Sequence, residues 1–453
     1  MNLLIREKRK AERISFSFPV QILHDIRGET VNFSRSGLRL ALEKPLTSAR
    51  TVPVRIDFPF SSPLNSHAEI VWTDKDFYNN RHLCGLRFLR LSRNETRILK
   101  EAINNYRTLD SKFVILTDKL RSWLIDLRAK FDSFDFLHTN EEERIEFVRK
   151  NYSYAATVLT EHFRNVGEIA GTFDNEKYCL HQNYYRNMLR FLLLDLIEIN
   201  RFIYRKPLGY AGDFLIMNYF YDFYDKYIGG SSYEKLINSY TCSIPVAYSV
   251  VERKNFFKQK ILEILQRDSA GRILSIASGS ARELIELLRE GKITRPLCFD
   301  CFDFENETFR YIQNKLEEIP PEKKKNLRIR FIKENFFEFM KGKPSQGLFS
   351  NYEFIYSCGL CDYLNEKMVR SLIRYFFPFL SLGGELILTN VKKDDDYRAY
   401  YEMLGGWKLT HRSEEEIRAW TKVVEEPHRT ELIGLESKIP FMFLILSLRK
   451  RFL

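Results

Sequence analysis

Two stretches of the chain carry side chains whose types and spacing suit ligand chemistry. Near the N-terminus Arg9 and Arg13 stand four apart, and nineteen residues after Arg13 comes Asn32-Phe33-Ser34-Arg35-Ser36-Gly37. A guanidinium fork donates two parallel hydrogen bonds to a planar base edge and also pairs with phosphate, so two arginines on one arm suit an anionic or base-bearing ligand. Asn32 and Ser34 would add short polar contacts, and Gly37 a tight backbone turn beside the ligand. The second stretch, Ile273 to Glu283, reads Ile-Leu-Ser-Ile-Ala-Ser-Gly-Ser-Ala-Arg-Glu: an apolar strand, a loop of small residues and a helix start. Small residues let backbone approach a ligand and the helix start offers free amides, which makes Ala277, Gly279, Ser280, Arg282 and Glu283 candidate contacts. Further on, Asp303 ends the next apolar run between Phe302 and Phe304. An acid there can accept hydrogen bonds from both ribose hydroxyls; Glu305 is the alternative.

The elements that must hold these groups are legible from periodicity. Residues 14–90 alternate apolar and polar, as in Ile14-x-Phe16-x-Phe18-x-Val20-x-Ile22 and Val52-x-Val54-x-Ile56-x-Phe58, with turn signals between the runs. Several short strands spaced this way predict a small antiparallel barrel or sandwich. Ser92 with Glu95 makes a capping box, so a helix follows and ends the first domain near residue 108. Residues 110–268 read as mostly helix, with a Leu116, Leu120, Leu124, Leu127 stripe, a second capping box at Thr139 and Glu142, an apolar helical segment at 191–199 and a long amphipathic helix at 250–265. From Arg272 onward strands at 272–278, 296–304, 328–336, 352–358, 384–391 and 441–448 are separated by helical stretches. Such alternation predicts a parallel sheet covered on both faces. The expected organisation is three parts, residues 1–108, 109–268 and 269–453.

These motifs carry family resemblances. R-x-x-x-R followed by N-x-S-x-x-G resembles the PilZ signature over roughly residues 8–105, and the Leu83–Phe88 stretch resembles that family's late strand. The resemblance implies a PilZ-like barrel binding cyclic di-GMP through Arg9, Arg13, Asn32, Ser34 and Gly37. The loop at 277–283 resembles motif I of class I S-adenosylmethionine-dependent methyltransferases, although Ser275 stands where an acid is usual, and Ala277 and Ala281 where glycines are. That resemblance implies an α/β Rossmann-like domain in which Asn335 and Phe336 contact adenine and Ser357 lies at the reaction-facing sheet end. Leu382-Gly383-Gly384 resembles the turn into the fifth strand of this fold. The phrase from Lys206 to Asp213, with Gly359-Leu-x-Asp-Tyr363, is similar to bacterial enzymes named for making the methyl ester of a 3-hydroxy fatty acid. Methyl transfer needs mainly in-line positioning. A carboxylate acceptor needs no base, whereas a hydroxyl does. Asp362 and Tyr363 are therefore the candidate catalytic pair, and Tyr210 and Asp213 candidate substrate contacts.

Composition narrows the alternatives. The chain has 453 residues, a formal net charge of +11, a 44% hydrophobic share and seven cysteines. Positive charge suits an anionic partner, of which cyclic di-GMP is one. An odd, scattered cysteine set is not a secreted disulfide framework. The early charges of Met1–Lys10 do not suit a signal peptide, and no apolar run reaches the ~18–20 residues of a spanning helix, so the expected location is the cytoplasm. Cys298-x-x-Cys301 and Cys358-x-x-Cys361 are too far apart for the usual paired zinc spacing, so no metal is expected. The resulting expectation is a cyclic di-GMP-responsive methyltransferase using S-adenosylmethionine on a small-molecule or lipid-like acceptor. The rivals are a non-catalytic cyclic di-GMP effector and a nucleic-acid methyltransferase, the latter disfavoured because no Pro-Pro-aromatic motif follows the fourth strand.

Overall fold

The computed structural model describes residues 19–22, 26–46, 50–58, 61–76, 81–267, 271–334, 351–423, 430–437 and 443–450. The chain divides into two units, residues 1–125 with 165–192, and residues 126–164 with 193–453. The helical middle of the chain is thus shared between the two.

The first unit is built on a barrel. Strands β1 (Pro19–Ile22), β2 (Ile26–Ser34), β3 (Gly37–Leu42), β4 (Thr51–Ile56), β5 (Leu64–Asp76) and β6 (Arg81–Phe88) close in the order β1-β2-β3-β6-β5-β4. Every pairing is antiparallel. Of the period-two pattern, Val20, Ile22, Val52, Val54, Ile56, Phe58 and Leu86 are buried and Phe33, Leu38 and Leu40 join them, while Ile14, Phe16 and Phe18 lie outside the described residues. Gly37 pairs with Ser34 across the two-residue turn that joins β2 to β3. Its φ is not left-handed, and a Cβ there would meet the Leu86 carbonyl oxygen at 2.1 Å. Close approach of β6, rather than a turn, is what excludes a side chain. Helix α1 (Arg93–Thr108) opens with the expected capping box, the Glu95 amide donating to Ser92 Oγ at 3.1 Å and the Ser92 amide to Glu95 at 2.7 Å.

Helices α2 (Ser111–Leu137), α3 (Glu141–Ala170) and α4 (Asn175–Leu189) follow. The cap of α3 falls one residue later than expected: the Glu142 and Glu143 amides donate to Asn140 Oδ1 at 2.8 and 3.3 Å. The apolar run at 191–199 is not one helix. A π-helical turn, Arg190–Leu194, precedes α5 (Glu198–Arg205). At the break the Asn200 side chain donates to the Leu193 carbonyl at 2.9 Å and Arg201 to the Asp195 carbonyl at 2.9 Å. Side chains thus satisfy carbonyls that a continuous helix would have satisfied with backbone.

The second unit adds α6 (Phe214–Phe223), α7 (Ser232–Ser243) and α8 (Pro245–Leu265) to a seven-stranded sheet. Its strands are β7 (Gly271–Ile276), β8 (Leu297–Asp303), β9 (Leu327–Lys333), β10 (Tyr352–Ser357), β11 (Leu380–Val391), β12 (Thr430–Ser437) and β13 (Phe443–Lys450), in the order β9-β8-β7-β10-β11-β13-β12. The first five are parallel, and β13 runs antiparallel to both β11 and β12. Helices α9 (Arg282–Arg289), α10 (Asn306–Glu317), α11 (Pro321–Lys324), α12 (Glu366–Phe376) and α13 (Glu414–Arg418) complete it. Successive β7 residues serve opposite cores: Leu274 packs with Phe302, Leu372 and Phe376, and Ile273 with Leu284, Phe299 and Ile387. A sheet apolar on both faces is what a doubly wound fold requires. The strand order reverses between β7 and β10, and in such sheets the ligand crevice lies beyond the strand carboxyl ends at that point. Among the described residues, no helix is long and apolar enough to cross a membrane.

Candidate cofactor and acceptor site

A cavity of about 670 Å³ opens at that switch point. The turn after β7 forms one wall. Ala277 (φ 52°), Gly279 (φ 51°) and Ala281 (φ 43°) all adopt left-handed backbone, so the loop keeps a glycine-like path although two of the three are alanines. Asp303, at the end of β8, locks this loop: its carboxylate accepts the Gly279 amide at 3.1 Å and the Glu305 amide at 3.1 Å. Burial raises the Asp303 pKa above the ordinary range against the pull of these amides. Ser280, Arg282, Glu283, Asp303 and Phe304 line the cavity with the loop. Glu283 is buried and accepts the Tyr356 hydroxyl.

The opposite wall comes from the segment after β10. Tyr363 accepts the Trp407 indole N–H at 2.8 Å. Asp362 is buried, accepts the Val391 amide at 2.7 Å through one oxygen, and faces Arg253 Nη1 at 3.5 Å through the other. Burial pushes the Asp362 carboxyl up to about 6, opposed first by Arg253 and then by the Val391 amide. Burial also pushes the Cys358 thiol up to about 12, which makes it a neutral part of the wall. Glycines admit these groups. A Cβ on Gly359 (φ 107°) would meet Arg253 Nη1 at 2.9 Å, and one on Gly212 (φ 72°) would meet the Tyr363 hydroxyl at 1.8 Å. Tyr210, from the same loop as Gly212, packs against Phe304 with ring centroids 5.5 Å apart. The remaining lining is largely apolar, including Ile203, Phe214, Met217, Phe220, Val250 and Leu404.

The structure therefore gathers Ala277, Gly279, Ser280, Arg282, Glu283, Asp303, Phe304, Asp362, Tyr363 and Tyr210 around one space. Asp213 stands differently. It caps α6, accepting the Leu215 and Ile216 amides at 3.1 and 3.0 Å, and is not among the cavity residues. Ser357 is fully buried and donates to the Ile276 carbonyl at 3.0 Å, tying β10 to β7 beneath the site. Asn335 and Phe336 lie outside the described residues, as do Arg9 and Arg13.

On the barrel, register brings a second set of groups into line. Asn32 pairs with Arg39, Arg39 with Gly85, and Gly85 with Trp72, so these four run across β2, β3, β6 and β5 on the outward face. Gly85 leaves room for the indole: a Cβ there would meet Trp72 Nε1 at 2.1 Å. The Arg39 guanidinium stacks over the Trp72 ring at 5.5 Å. One step along, Ser34 pairs with Gly37 and its hydroxyl donates to the Gly37 carbonyl at 3.2 Å.

Residues 7–105 match the family model of the PilZ domain. No curated protein matches the chain. Among solved structures, a possible exported protein from Bordetella parapertussis is similar at 16% identity over 66% of this chain and 97% of that one, with a TM-score of 0.42. A S-adenosylmethionine-dependent methyltransferase from Clostridium acetobutylicum is similar at 10% identity over 44% of this chain and 92% of that one, with a TM-score of 0.31. An inhibitor of motility from Bacillus subtilis is similar at 18% identity over 22% of this chain and 51% of that one, with a TM-score of 0.20. The chain thus combines a PilZ-matched barrel with a mixed sheet of doubly wound order.

Sequence reasoning passed over Arg253, Trp407 and, in the PilZ-matched barrel, Arg39 and Trp72. For Arg253 a signal exists: with Lys254 it interrupts the buried stripe of α8 formed by Val250, Phe257, Ile261 and Ile264, two charged residues among apolar neighbours at helical spacing. For the Arg39–Trp72 stack the only signal is register, which the sequence does not print.

Proposed function

We propose that the protein is a S-adenosylmethionine-dependent methyltransferase acting on an amphiphilic acceptor that presents a carboxylate or hydroxyl, and that cyclic di-GMP bound at the barrel modulates it. One observation carries the catalytic half. A largely apolar cavity at the sheet switch point has a small-residue loop locked by Asp303 on one wall and the Arg253–Asp362 pair on the other. The residues fit the cofactor: the loop takes a glycine-like path, and acids from the β8 end and the α9 start face the same space. When bound, S-adenosylmethionine supplies an electrophilic methyl group.

In this reading Arg253 orients the acceptor. A guanidinium carries five N–H donors, so it can bond an acceptor carboxylate in addition to Asp362. Asp362, held by the Val391 amide, is the positioning residue for Arg253. Tyr363 and Tyr210 shape the acceptor's approach, and the apolar lining accepts a hydrocarbon body. On the barrel, Arg39, Trp72 and Asn32 offer an outward platform for a guanine base beside the backbone that the buried Ser34 holds, and Arg9 and Arg13 would add charge.

The test is titration calorimetry of the full chain with S-adenosylhomocysteine and, separately, cyclic di-GMP. Methyl transfer to medium-chain 3-hydroxy acids and to matched alcohols is then measured with labelled cofactor. Saturable binding of both ligands and labelled ester or ether product are expected. Absence of S-adenosylhomocysteine binding would make the sheet domain a protein-interaction module instead.

A further inference from the structure

Three carboxylates line the cavity: Asp303, Asp362 and Glu283. Two are already engaged as structural acceptors. Asp303 holds the Gly279 and Glu305 amides, and Asp362 holds the Val391 amide and faces Arg253. Glu283 differs. Its hydrogen-bond partners are the neutral Tyr356 hydroxyl and its own backbone amide. Among the described residues, no basic group forms an ion pair with it. The cations beside it in sequence and space are committed elsewhere: Lys254 to Glu286 at 2.7 and 2.8 Å, and Arg282 to Asp222 at 2.6 Å and Glu286 at 3.1 Å. Yet Glu283 is 7% exposed and sits in the first turn of α9, directly after the loop. Burying a carboxylate without a paired cation is costly, and a cationic ligand group removes that cost.

We infer that Glu283 is the receptor for the α-ammonium group at the amino-acid end of the cofactor. The inference rests on the cofactor reading given above. The Tyr356 hydroxyl, which also bonds Ser275 on β7, holds one oxygen of the carboxylate, and Glu283 lines the cavity. An ammonium arriving from the cavity side would then complete a charge-assisted bond in a site screened from water. Glu283 would accordingly read the amino-acid half of the ligand, while the Asp303 end of the site reads the nucleoside half.

Two ligands separate these halves. S-adenosylhomocysteine carries the α-ammonium; 5′-methylthioadenosine keeps the nucleoside thioether without the amino acid. Glu283→Gln preserves an acceptor for Tyr356 and removes the charge. Calorimetry should show S-adenosylhomocysteine binding weakened about 30-fold or more in Glu283→Gln, as expected for one partner of a buried charged pair. Binding of 5′-methylthioadenosine should stay within about twofold, the ordinary scatter of a site not touched. Equal losses for both ligands, or no loss for S-adenosylhomocysteine, would overturn the inference while leaving the cofactor reading standing. Failure of the unmodified protein to bind either ligand would overturn both. Should Glu283→Gln not fold, the unmodified protein suffices: the deaminated analogue of S-adenosylhomocysteine must bind about 30-fold more weakly than the parent, and equal affinity would refute the assignment.

Discussion

Arg253 is buried, lies 3.5 Å from Asp362, and has a glycine opposite it where any side chain would collide. If it orients the acceptor carboxylate, Arg253→Met should lower kcat/KM for an acid acceptor by roughly 30-fold or more, since the lost contact is a buried charged one. S-adenosylhomocysteine affinity should hardly change, which calorimetry on the same variant checks. Asp362 makes a pH prediction with two opposite signs. Its carboxyl has a pKa of about 6 in the folded protein against an ordinary 3.8. Between those values the folded state holds more protons than the unfolded one, so this group makes stability fall as pH rises from 3.8 to 6. Activity should do the reverse, rising with pH through about 6 as the charge that holds Arg253 develops. Asp362→Asn should flatten both profiles, as read by denaturant melts and by initial rates from pH 5 to 8. At this scale the sequence was partly legible. Loop residues and strand-end acids stand out because their neighbours in sequence are also their neighbours in space. Arg253 and Trp407 reach the site from helices and loops far along the chain, and only folding brings them there.

Elements decide how these side chains are held. The strand–loop–helix unit of β7 and α9 could be read from its apolar run and small residues, and the barrel from its alternation. The π-helical turn at Arg190–Leu194 could not, because its break depends on Asn200 and Arg201 reaching back to carbonyls. Strand β12 was also missed, since it completes a hairpin with β13 whose pairing is not local in the pattern. The loop between α5 and α6 offers a sharp test. Gly212 has a left-handed φ of 72° and no room for a methyl beside the Tyr363 hydroxyl. Gly212→Ala should cost about 1–2 kcal/mol of stability from the backbone alone. It should also raise the acceptor KM, because Tyr363 must leave its bond to Trp407; chemical melts and acceptor titrations check the two parts. On the barrel, the register that stacks Arg39 on Trp72 predicts that Trp72→Ala weakens cyclic di-GMP binding by about tenfold, the magnitude of a lost base-stacking contact. The signature residue Ser34, on the neighbouring row, is then the comparison: Ser34→Ala should give a loss of its own, and calorimetry at constant salt measures both.

At the scale of the whole molecule, the question is why one chain carries both a PilZ-matched barrel and a doubly wound sheet with a cavity at its switch point. Each unit has its own core: Phe33, Leu40 and Ile56 in the barrel, Leu274, Phe302 and Phe376 beside the sheet. The two proposed ligands can therefore be tested as separate binding events with separate variants. Coupling between them is a free energy and must be reciprocal: whatever factor cyclic di-GMP applies to cofactor affinity, the cofactor applies to cyclic di-GMP. If the barrel modulates the sheet domain, saturating cyclic di-GMP should shift the S-adenosylhomocysteine dissociation constant by about fivefold or more, the lower end of typical coupling. The reverse titration must return the same factor. Arg13→Ala should abolish cyclic di-GMP binding and the shift together while sparing cofactor affinity, and Asp303→Ala should do the converse. A ligand with equal affinity for both states of the protein shifts nothing, however tightly it binds. Two tight but mutually indifferent binding isotherms, with methyl transfer rates unmoved by cyclic di-GMP, would therefore mean that the fusion tethers two activities instead of linking them.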